Sequence, residues 1–200
     1  MIADKVVLAS SSATRASMLA AIGFSVTRDA PRVDEEEVKL AFQGEGADPA
    51  ACAVALAEAK ADRVSRRHPG ALVIGADQML DCEGVWLDKP PDRRQARAQL
   101  VALRGRTHVL SSAACVFRDG RKLWHTVQQA RLTMRPFSDD FLDEYLSAVG
   151  DDVTGSVGAY RLEGLGVHLF ARVEGDWFTI LGLPLLPLLD FLRGQGAAGA

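Results

Sequence analysis

Carboxylates that could hold a metal ion occur at two separate places in the sequence. Asp34 and Glu35 belong to an acidic run that is predicted to be a loop, and Asp77 follows an apolar strand predicted over residues 71–75. α/β proteins place ligand groups at the carboxyl ends of strands, and two or three carboxylate oxygens suit Mg²⁺ or Mn²⁺, which also take phosphate oxygens and water. A solvated acidic loop, and a turn residue at Asp77, are the alternative interpretations.

The segment from Leu8 to Arg15 joins a predicted strand to a predicted helix and is rich in small hydroxyl side chains. Unpaired N–H groups and the positive end of the helix dipole meet at such a junction, so Ser10 and Ser12 could help to bind a phosphate. Arg15, one turn into the helix, could reach the same anion. Plain capping of the helix by serine is the alternative, and it is the more common use of these residues.

Two lysines complete the set of residues that could act on a phosphate. Lys60 lies among small residues in a long helix predicted from Asp48 to about Arg67, and Lys89 precedes Pro90 at a predicted strand end. A triphosphate carries roughly four negative charges, so a site that cleaves it needs several cations besides the metal. Solvation at the surface is the alternative for both lysines.

Predicted strands and helices are mixed along the whole chain. The strands are predicted at residues 5–9, 24–28, 71–75, 79–82, 85–87, 107–117, 122–134, 167–173 and 177–181, with hairpin turns at Asp119-Gly120 and Gly175-Asp176. Helices are predicted after the serine run, from Asp48 to Arg67, from Asp92 to Leu103, from Ser138 to Ala148, and near the end up to Gly194. Since no internal repeat or low-complexity linker separates them, these elements predict one α/β domain over residues 1–200 with a continuous mixed sheet.

The composition excludes several classes of protein. With 200 residues, 48% hydrophobic and 24% charged, the chain can bury a sizeable core. Its formal net charge of -3 argues against a nucleic-acid polymer as partner, although not against a small anion. Three widely spaced cysteines favour a reduced, cytoplasmic protein over a disulfide framework or a zinc site. No signal peptide is recognisable, and the longest uncharged run, Trp177 to Leu189, is too short to span a membrane, so no membrane association is expected.

The order of these motifs resembles the Maf family of nucleotide pyrophosphatases, from about Val6 to Arg193. The family's opening Leu-Ala-Ser-x-Ser-Pro-x-Arg is similar to residues 8–15, with Ala13 in place of the proline. Further matches follow in chain order at Asp34-Glu35, Ala57 to Ala61, Gly75-Ala76-Asp77, Lys89-Pro90, Gly105 to His108, Gly158-Ala159-Tyr160 and Gly182 to Leu185. So many matches in one order make a chance similarity implausible.

The resemblance implies a metal-dependent hydrolase built on an elongated mixed β-sheet flanked by helices, with two lobes around a central cleft. Its substrate would be a nucleoside triphosphate, and its metal, Mg²⁺ or Mn²⁺, would be held by Asp77 and Glu35. The residues with implied catalytic roles are Asp77, Glu35, Lys60 and Lys89. Those with implied roles in binding the phosphates are Ser10, Ser12, Arg15 and the two lysines. Members of the family are often dimeric, which leaves a homodimer open.

Three positions distinguish branches of the family. Thr14 stands where the dTTP/UTP type has arginine and the 7-methyl-GTP type has tryptophan. Gln78 and Glu163 look like the 7-methyl-GTP type, since the dTTP/UTP type has threonine and glutamine there. The resemblance therefore implies that a triphosphate such as 7-methyl-GTP is split into the monophosphate and pyrophosphate. A dTTP/UTP pyrophosphatase and a nucleotide-binding regulator remain as alternatives, because the family is also linked to cell-division arrest.

Overall fold

The structure, a computed structural model, describes residues 5–44, 46 and 48–197. A mixed sheet of seven strands runs through it, flanked by helices. The strands are β1 (Val6–Ala9), β2 (Val26–Arg28), β3 (Leu72–Cys82), β4 (Val85–Leu87), β5 (Thr107–Arg118), β6 (Arg121–Met134) and β7 (Phe170–Glu174). The helices are α1 (Ala13–Ala21), α2 (Glu35–Gly44), α3 (Pro49–Ser65), α4 (Arg93–Leu103), α5 (Asp139–Val149), α6 (Trp177–Ile180) and α7 (Leu185–Gly194). Three 3₁₀ turns lie between α5 and β7. The predicted mixed α/β fold is confirmed.

The strand order is β2-β1-β3-β5-β6-β7, with β4 also paired to β3. Strands β2, β1 and β3 are parallel, whereas all the other pairs are antiparallel. The hairpin between β5 and β6 turns at Asp119 and Gly120, which both have positive φ angles, of 52° and 73°. This is the hairpin that the sequence predicts, because Asp-Gly accepts the left-handed conformation that such a tight turn needs.

One edge of β3 is shared by two short strands with a gap between them. β1 pairs with β3 from Leu72 to Gly75, and β4 pairs with it from Leu80 to Cys82. Residues 76–79 therefore have no strand partner on this edge, while β5 pairs with β3 continuously on the other edge. The prediction that Asp77 follows the end of a strand is wrong: it lies in the middle of β3, opposite Ala113 of β5. What ends beside Asp77 is the neighbouring strand β1.

Helix α3 packs one face of small side chains against β3. Asp48 accepts a hydrogen bond from the backbone N–H of Ala50 at 2.8 Å and Pro49 begins the helix, as predicted. A Cβ atom added to Gly75 would lie 2.2 Å from the carbonyl oxygen of Ala57 and 2.8 Å from Cβ of Ala61. Only glycine allows the helix to approach this closely. The close approach brings Lys60, which lies on the same buried face of α3, over β3.

The acidic segment is a helix and not the predicted loop. α2 begins at Glu35, and Oδ1 of Asp34 accepts a hydrogen bond from the backbone N–H of Glu37 at 3.1 Å. Three glutamates in the first turn stabilise this end of the helix through its dipole. Clustered acidic residues indicate solvent exposure, which is correct for Asp34 to Glu37, but they are also favourable at a helix N-terminus, and this second effect was not taken into account.

The region around Gly175 also differs from its prediction as a hairpin of two strands. Residues 165–169 form a 3₁₀ turn before β7, and the predicted strand from Trp177 to Leu181 is the short helix α6. Asp176 caps α6, since its Oδ2 accepts a hydrogen bond from the backbone N–H of Thr179 at 2.8 Å. The sequence Gly-Asp was interpreted as a hairpin turn, but its aspartate is an N-cap.

The buried side chains form three cores in two lobes. Val6 and Leu8 of β1 point into one core with α1 and α7, whereas Val7 and Ala9 point to the other face, into a core beneath α3. These two cores make up the first lobe. The second lobe has one core, in which α4, α5 and the 3₁₀ turns pack on the remaining parts of β3, β5 and β6. Within the described residues, no helix is long and apolar enough to cross a membrane.

Candidate active site

A cleft of about 400 Å³ opens between the two lobes at the gap beside β3. One wall comes from the first lobe, with residues 10–15 and side chains of α2 and α3, and the other comes from residues 155–163 of the second lobe. All the site residues predicted from the sequence line this one cleft, namely Ser10, Ser12, Thr14, Arg15, Glu35, Lys60, Asp77, Gln78, Lys89 and Glu163. The fold therefore brings together residues that are up to 153 positions apart in the sequence, from Ser10 to Glu163.

The centre of the cleft holds a lysine between two carboxylates. Nζ of Lys60 lies 2.5 Å from Oδ1 of Asp77 and 2.8 Å from Oε1 of Glu35. The side chains of Lys60 and Asp77 are only 8% and 9% exposed, whereas that of Glu35 is 46% exposed. Helix α3 supplies the lysine, β3 the aspartate and the first turn of α2 the glutamate. Each buried charge is thus paired, as a stable buried ion pair requires.

The positive charges around Glu35 keep it ionised. Burial alone would raise the pKa of Glu35, but Lys60, Lys39 and Lys89 together hold this pKa below its ordinary value. At neutral pH the site therefore presents an anionic carboxylate at its exposed end, next to the buried Lys60–Asp77 pair.

Two carboxylate oxygens of this centre are available to a metal ion. Oδ2 of Asp77 and Oε2 of Glu35 make no hydrogen bond within the described part of the chain. Among the same residues, no group of three or more His, Cys, Asp and Glu side chains could hold a metal. Two carboxylates are nevertheless the kind of donor set that Mg²⁺ or Mn²⁺ commonly uses, with phosphate oxygens and water as the other ligands.

Arg15 lies across the gap in the edge of β3. Its Nη1 donates to the carbonyl oxygen of Ala76 at 2.9 Å and to Oγ of Ser10 at 3.2 Å, and its Nε donates to the carbonyl oxygen of Gly182 at 2.8 Å. Burial lowers the pKa of Arg15, against the opposing effect of Asp77 and Glu35. Nη2 makes no hydrogen bond within residues 5–44, 46 and 48–197. Arg15 therefore links Ser10, Ala76 of β3 and Gly182 at the base of the cleft, and its Nη2 remains available to a ligand.

Ser12 performs the capping role that was the alternative to phosphate binding. Its Oγ accepts a hydrogen bond from the backbone N–H of Arg15 at 3.3 Å, which fixes the first turn of α1. Oγ of Ser10 accepts from the backbone N–H of Ser12 at 3.2 Å as well as from Arg15. Both serines line the cleft while holding this junction in place, so capping and ligand binding are compatible here.

Lys89 differs from Lys60 in having no partner among the described residues. It is exposed at the cleft and makes neither a hydrogen bond nor an ion pair there. Partial burial of its ammonium group, followed by the positive charge of Arg15, lowers the pKa of Lys89 below its ordinary value. A cation held near other cations and without a counter-ion is suited to bind an anionic ligand. Lys89 is thus the better placed of the two lysines to bind a phosphate.

An ion pair that the sequence did not reveal lies beside this centre. Lys39 of α2 pairs with Asp88, the residue before Lys89, and both line the cleft. Burial would lower the pKa of Lys39, but the hydrogen bond to Asp88 raises it. Lys39 follows Glu35 by four residues, so a prediction of α2 as a helix would have placed both side chains on one face.

Comparisons with known proteins identify the family of the chain. A family model described as Maf-like protein matches residues 5–195. The chain belongs to this Maf family. A nucleoside triphosphate pyrophosphatase from Paramagnetospirillum magneticum is 61% identical, over 94% of this chain and 97% of the relative. A protein of the same name from Granulibacter bethesdensis is 52% identical, over 96% and 98%.

A third relative carries a more specific name. A 7-methyl-GTP pyrophosphatase from Mesorhizobium japonicum is 48% identical, over 97% of this chain and 98% of its own length. Among solved structures, a nucleoside-triphosphatase / dITP/XTP pyrophosphatase from Mycobacterium abscessus covers 98% of this chain, at 15% identity and a TM-score of 0.46. That likeness is too distant to bear on fold or function.

Of the positions that distinguish Maf branches, Gln78 has the most constrained side chain. Its Nε2 donates to Oγ of Ser112 at 2.9 Å and to the carbonyl oxygens of Thr179 and Ile180 at 3.2 and 3.0 Å. The hydroxyl of Ser112 itself donates to the carbonyl oxygen of Thr179 at 2.7 Å, so it can only accept from Gln78. All three partners of the amide nitrogen are therefore acceptors. The network leaves Oε1 of Gln78 as an acceptor for a ligand.

The two other positions that are expected to differ between Maf branches make no polar contacts within the described residues. The side chains of Thr14 and Glu163 line the cleft without a hydrogen bond or ion pair among the residues described. Sequence reasoning missed Arg161, which lies two residues before Glu163 and lines the cleft with it. Its place in the Maf motif after Gly158-Ala159-Tyr160 was a signal that could have drawn attention to it.

Proposed function

We infer that the protein is a nucleoside triphosphate pyrophosphatase, and we propose that water attacks the α-phosphorus in a metal-dependent reaction that releases the monophosphate and pyrophosphate. The observation that carries the proposal is the Lys60-bridged pair of Asp77 and Glu35, with the unpartnered Lys89 beside it in one cleft. Relatives that are 52% and 61% identical over nearly the whole chain bear the name of this activity.

The chain's own residues supply a base and cations for this reaction. Asp77 acts either as the general base or as the carboxylate that organises the metal: Lys60 orients it through Oδ1, which leaves Oδ2 to accept the proton of the attacking water or to bind the metal. The bond between the α-phosphorus and the bridging oxygen breaks, and Lys89 balances part of the charge on the leaving pyrophosphate. Asp77 and Glu35 would hold Mg²⁺ or Mn²⁺, which would supply further neutralising charge at the phosphates.

The position of cleavage is the first expected result. With Mg²⁺ or Mn²⁺ in H₂¹⁸O, the label should appear in the nucleoside monophosphate and not in pyrophosphate, because water attacks the α-phosphorus. Mass spectrometry of both products measures this, and a reaction with excess chelator is the control for metal dependence.

Two other outcomes would contradict the proposal. Release of a diphosphate and inorganic phosphate would mean that the triphosphate binds in another register. Tight nucleotide binding without any product, for every triphosphate tested and with either metal, would favour a nucleotide-binding regulator.

For the base, we propose a modified purine triphosphate such as 7-methyl-GTP. N7-methylation puts a positive charge on guanine, while its N1–H and exocyclic amine are hydrogen-bond donors. The carboxylate of Glu163 and Oε1 of Gln78 are acceptors in the cleft, and the former also carries a negative charge. Thr14 provides no aromatic ring to stack on a cationic base. dTTP or UTP is the alternative substrate, and the name of the relative from Mesorhizobium japonicum favours the purine.

Replacement of Glu163 by glutamine tests this choice. We expect Glu163→Gln to lower the ratio of kcat/KM for 7-methyl-GTP to that for UTP by ~10-fold or more, because a charge-assisted hydrogen bond is lost. Steady-state assays with both nucleotides measure the ratio. Glu144→Gln is a matched control, since Glu144 is exposed on α5 and does not line the cleft. A ratio within twofold of the wild type would exclude Glu163 as the selectivity residue.

A further inference from the structure

The segment from Gly155 to Gly166 is shaped around Arg161. A Cβ atom added to Gly155 would lie 2.7 Å from Nη2 of Arg161, and one added to Gly166 would lie 2.3 Å from the Arg161 carbonyl oxygen and 2.9 Å from its backbone nitrogen. Such distances are too short for real atoms. The two glycines thus make room for both the side chain and the backbone of Arg161.

The guanidinium of Arg161 has almost no polar partner among residues 5–44, 46 and 48–197. Its ion pair within the described residues is with Asp152, whose Oδ2 lies 3.9 Å from Nη1, beyond hydrogen-bond distance. Within the part of the chain that the structure describes, Arg161 donates no hydrogen bond. Its donors are therefore available at the wall of the cleft, where its side chain is 44% exposed.

The position of Arg161 points to the nucleobase and not to the phosphates. The catalytic carboxylates, Lys60 and the serine run belong to the first lobe or to β3, whereas Arg161 and Glu163 belong to the opposite wall. Both also border a second depression, of about 340 Å³, whose lining includes Val149, Val153 and Leu165. A flat base that reached from the cleft towards this second depression would lie next to apolar side chains, with the polar groups of Arg161 and Glu163 at its edge.

Arginine has a well-defined preference among the bases. It donates two hydrogen bonds to O6 and N7 of guanine, which are both acceptors. Methylation of N7 removes one of these acceptors and adds a positive charge, which the guanidinium repels. Arg161 and Glu163 should therefore act in opposite directions on the choice between guanine and its N7-methylated cation.

We propose that Arg161 is a specificity-determining residue, which donates hydrogen bonds to acceptor atoms of the nucleobase and favours an uncharged purine over a cationic one. This rests on the proposed pyrophosphatase function and specifies how its base site discriminates. Gly155 keeps the space in which the guanidinium lies.

Two substitutions test the proposal by different routes. Arg161→Gln should raise the ratio of kcat/KM for 7-methyl-GTP to that for GTP by at least ~10-fold, chiefly because kcat/KM for GTP falls. Gly155→Ala should change the ratio in the same direction, because the new Cβ displaces the end of a flexible side chain without touching backbone. Arg172→Gln is the matched control, since Arg172 is exposed on β7 and does not line the cleft.

Binding of the products GMP and 7-methyl-GMP, measured by calorimetry, separates this proposal from the function it rests on. If Arg161→Gln weakens GMP binding more than 7-methyl-GMP binding, the proposal holds even where no triphosphate is hydrolysed. Ratios within twofold of the wild type in both Arg161→Gln and Gly155→Ala would overturn it. An equal loss for both nucleotides would also overturn it, because Arg161 would then act on the phosphates or on the loop.

Discussion

Replacing Asp77 by asparagine should lower kcat by ~10²–10⁴-fold while the protein stays folded. Asparagine has the same shape as aspartate, so the middle of β3 and its pairing with β5 can persist. However, an amide cannot accept a proton from water at neutral pH, and it offers a weaker ligand to a metal. The rate of pyrophosphate release at saturating substrate measures the loss of catalysis. The thermal unfolding midpoint of the same variant shows whether the protein is still folded.

Asp81→Asn is the matched control for this prediction. Asp81 lies on the same strand, and its Oδ1 accepts a hydrogen bond from the backbone N–H of Gly84 at 3.3 Å, in the turn to β4. It does not line the cleft, so its substitution should leave kcat within a few-fold of the wild type. Near-normal activity in a folded Asp77→Asn protein would disprove the assignment of Asp77 as the base.

Replacing Lys60 by methionine should destabilise the protein by about 3–5 kcal/mol, because removal of one partner leaves the buried Asp77 without a counter-charge. The expected signature is partial recovery in the double variant Lys60→Met/Asp77→Asn, because the buried carboxylate charge is then removed and only the half-exposed Glu35 has lost its partner. The free energy of unfolding from urea titrations of the wild type, both single variants and the double variant gives the coupling energy. Equal destabilisation in Lys60→Met and in the double variant would mean that lost packing, not charge, is responsible.

The pH dependence of unfolding provides a second check on Lys60. The pKa of Glu35 is lowered in the folded state, so Glu35 contributes stability above its unfolded pKa, and this contribution is lost as the pH falls through the folded pKa. Without Lys60 the folded pKa should rise towards the ordinary value, and this part of the pH dependence should shrink. Lys122→Met is the control, since the exposed pair of Lys122 with Glu58 should contribute at most about 1 kcal/mol.

Local signals predicted most elements of the fold, and they failed where one residue type serves two purposes. Asp-Gly at 119–120 gave the correct hairpin, and Asp48-Pro49 gave the correct helix start. Glu35 was assigned to a loop because acidic residues are typical of exposed segments, although they also favour the first turn of a helix. Asp176 was assigned to a turn for a similar reason, although it caps α6.

The candidate site was predicted as a set of residues but not as a set of contacts. The motif order named ten side chains that the fold does bring into one cleft. It gave no indication that Lys60 joins Asp77 and Glu35, because this contact depends on the close approach of α3 to Gly75. Nor could it show Arg161 in a space kept open by Gly155 and Gly166, since no local periodicity encodes packing between distant segments.

The continuous pairing of β3 with β5, on the edge opposite the gap, limits how much the cleft can move. β3 and β5 pair residue by residue from Val73 with Phe117 to Asp81 with Val109, on both sides of the opening. The two lobes are thus built on the same uninterrupted ladder, and a change in the angle between them would have to distort paired strands. The ladder therefore resists opening and closing of the cleft, so that adaptation to the shape of a nucleotide should fall mainly to the segment that carries Arg161 and Glu163.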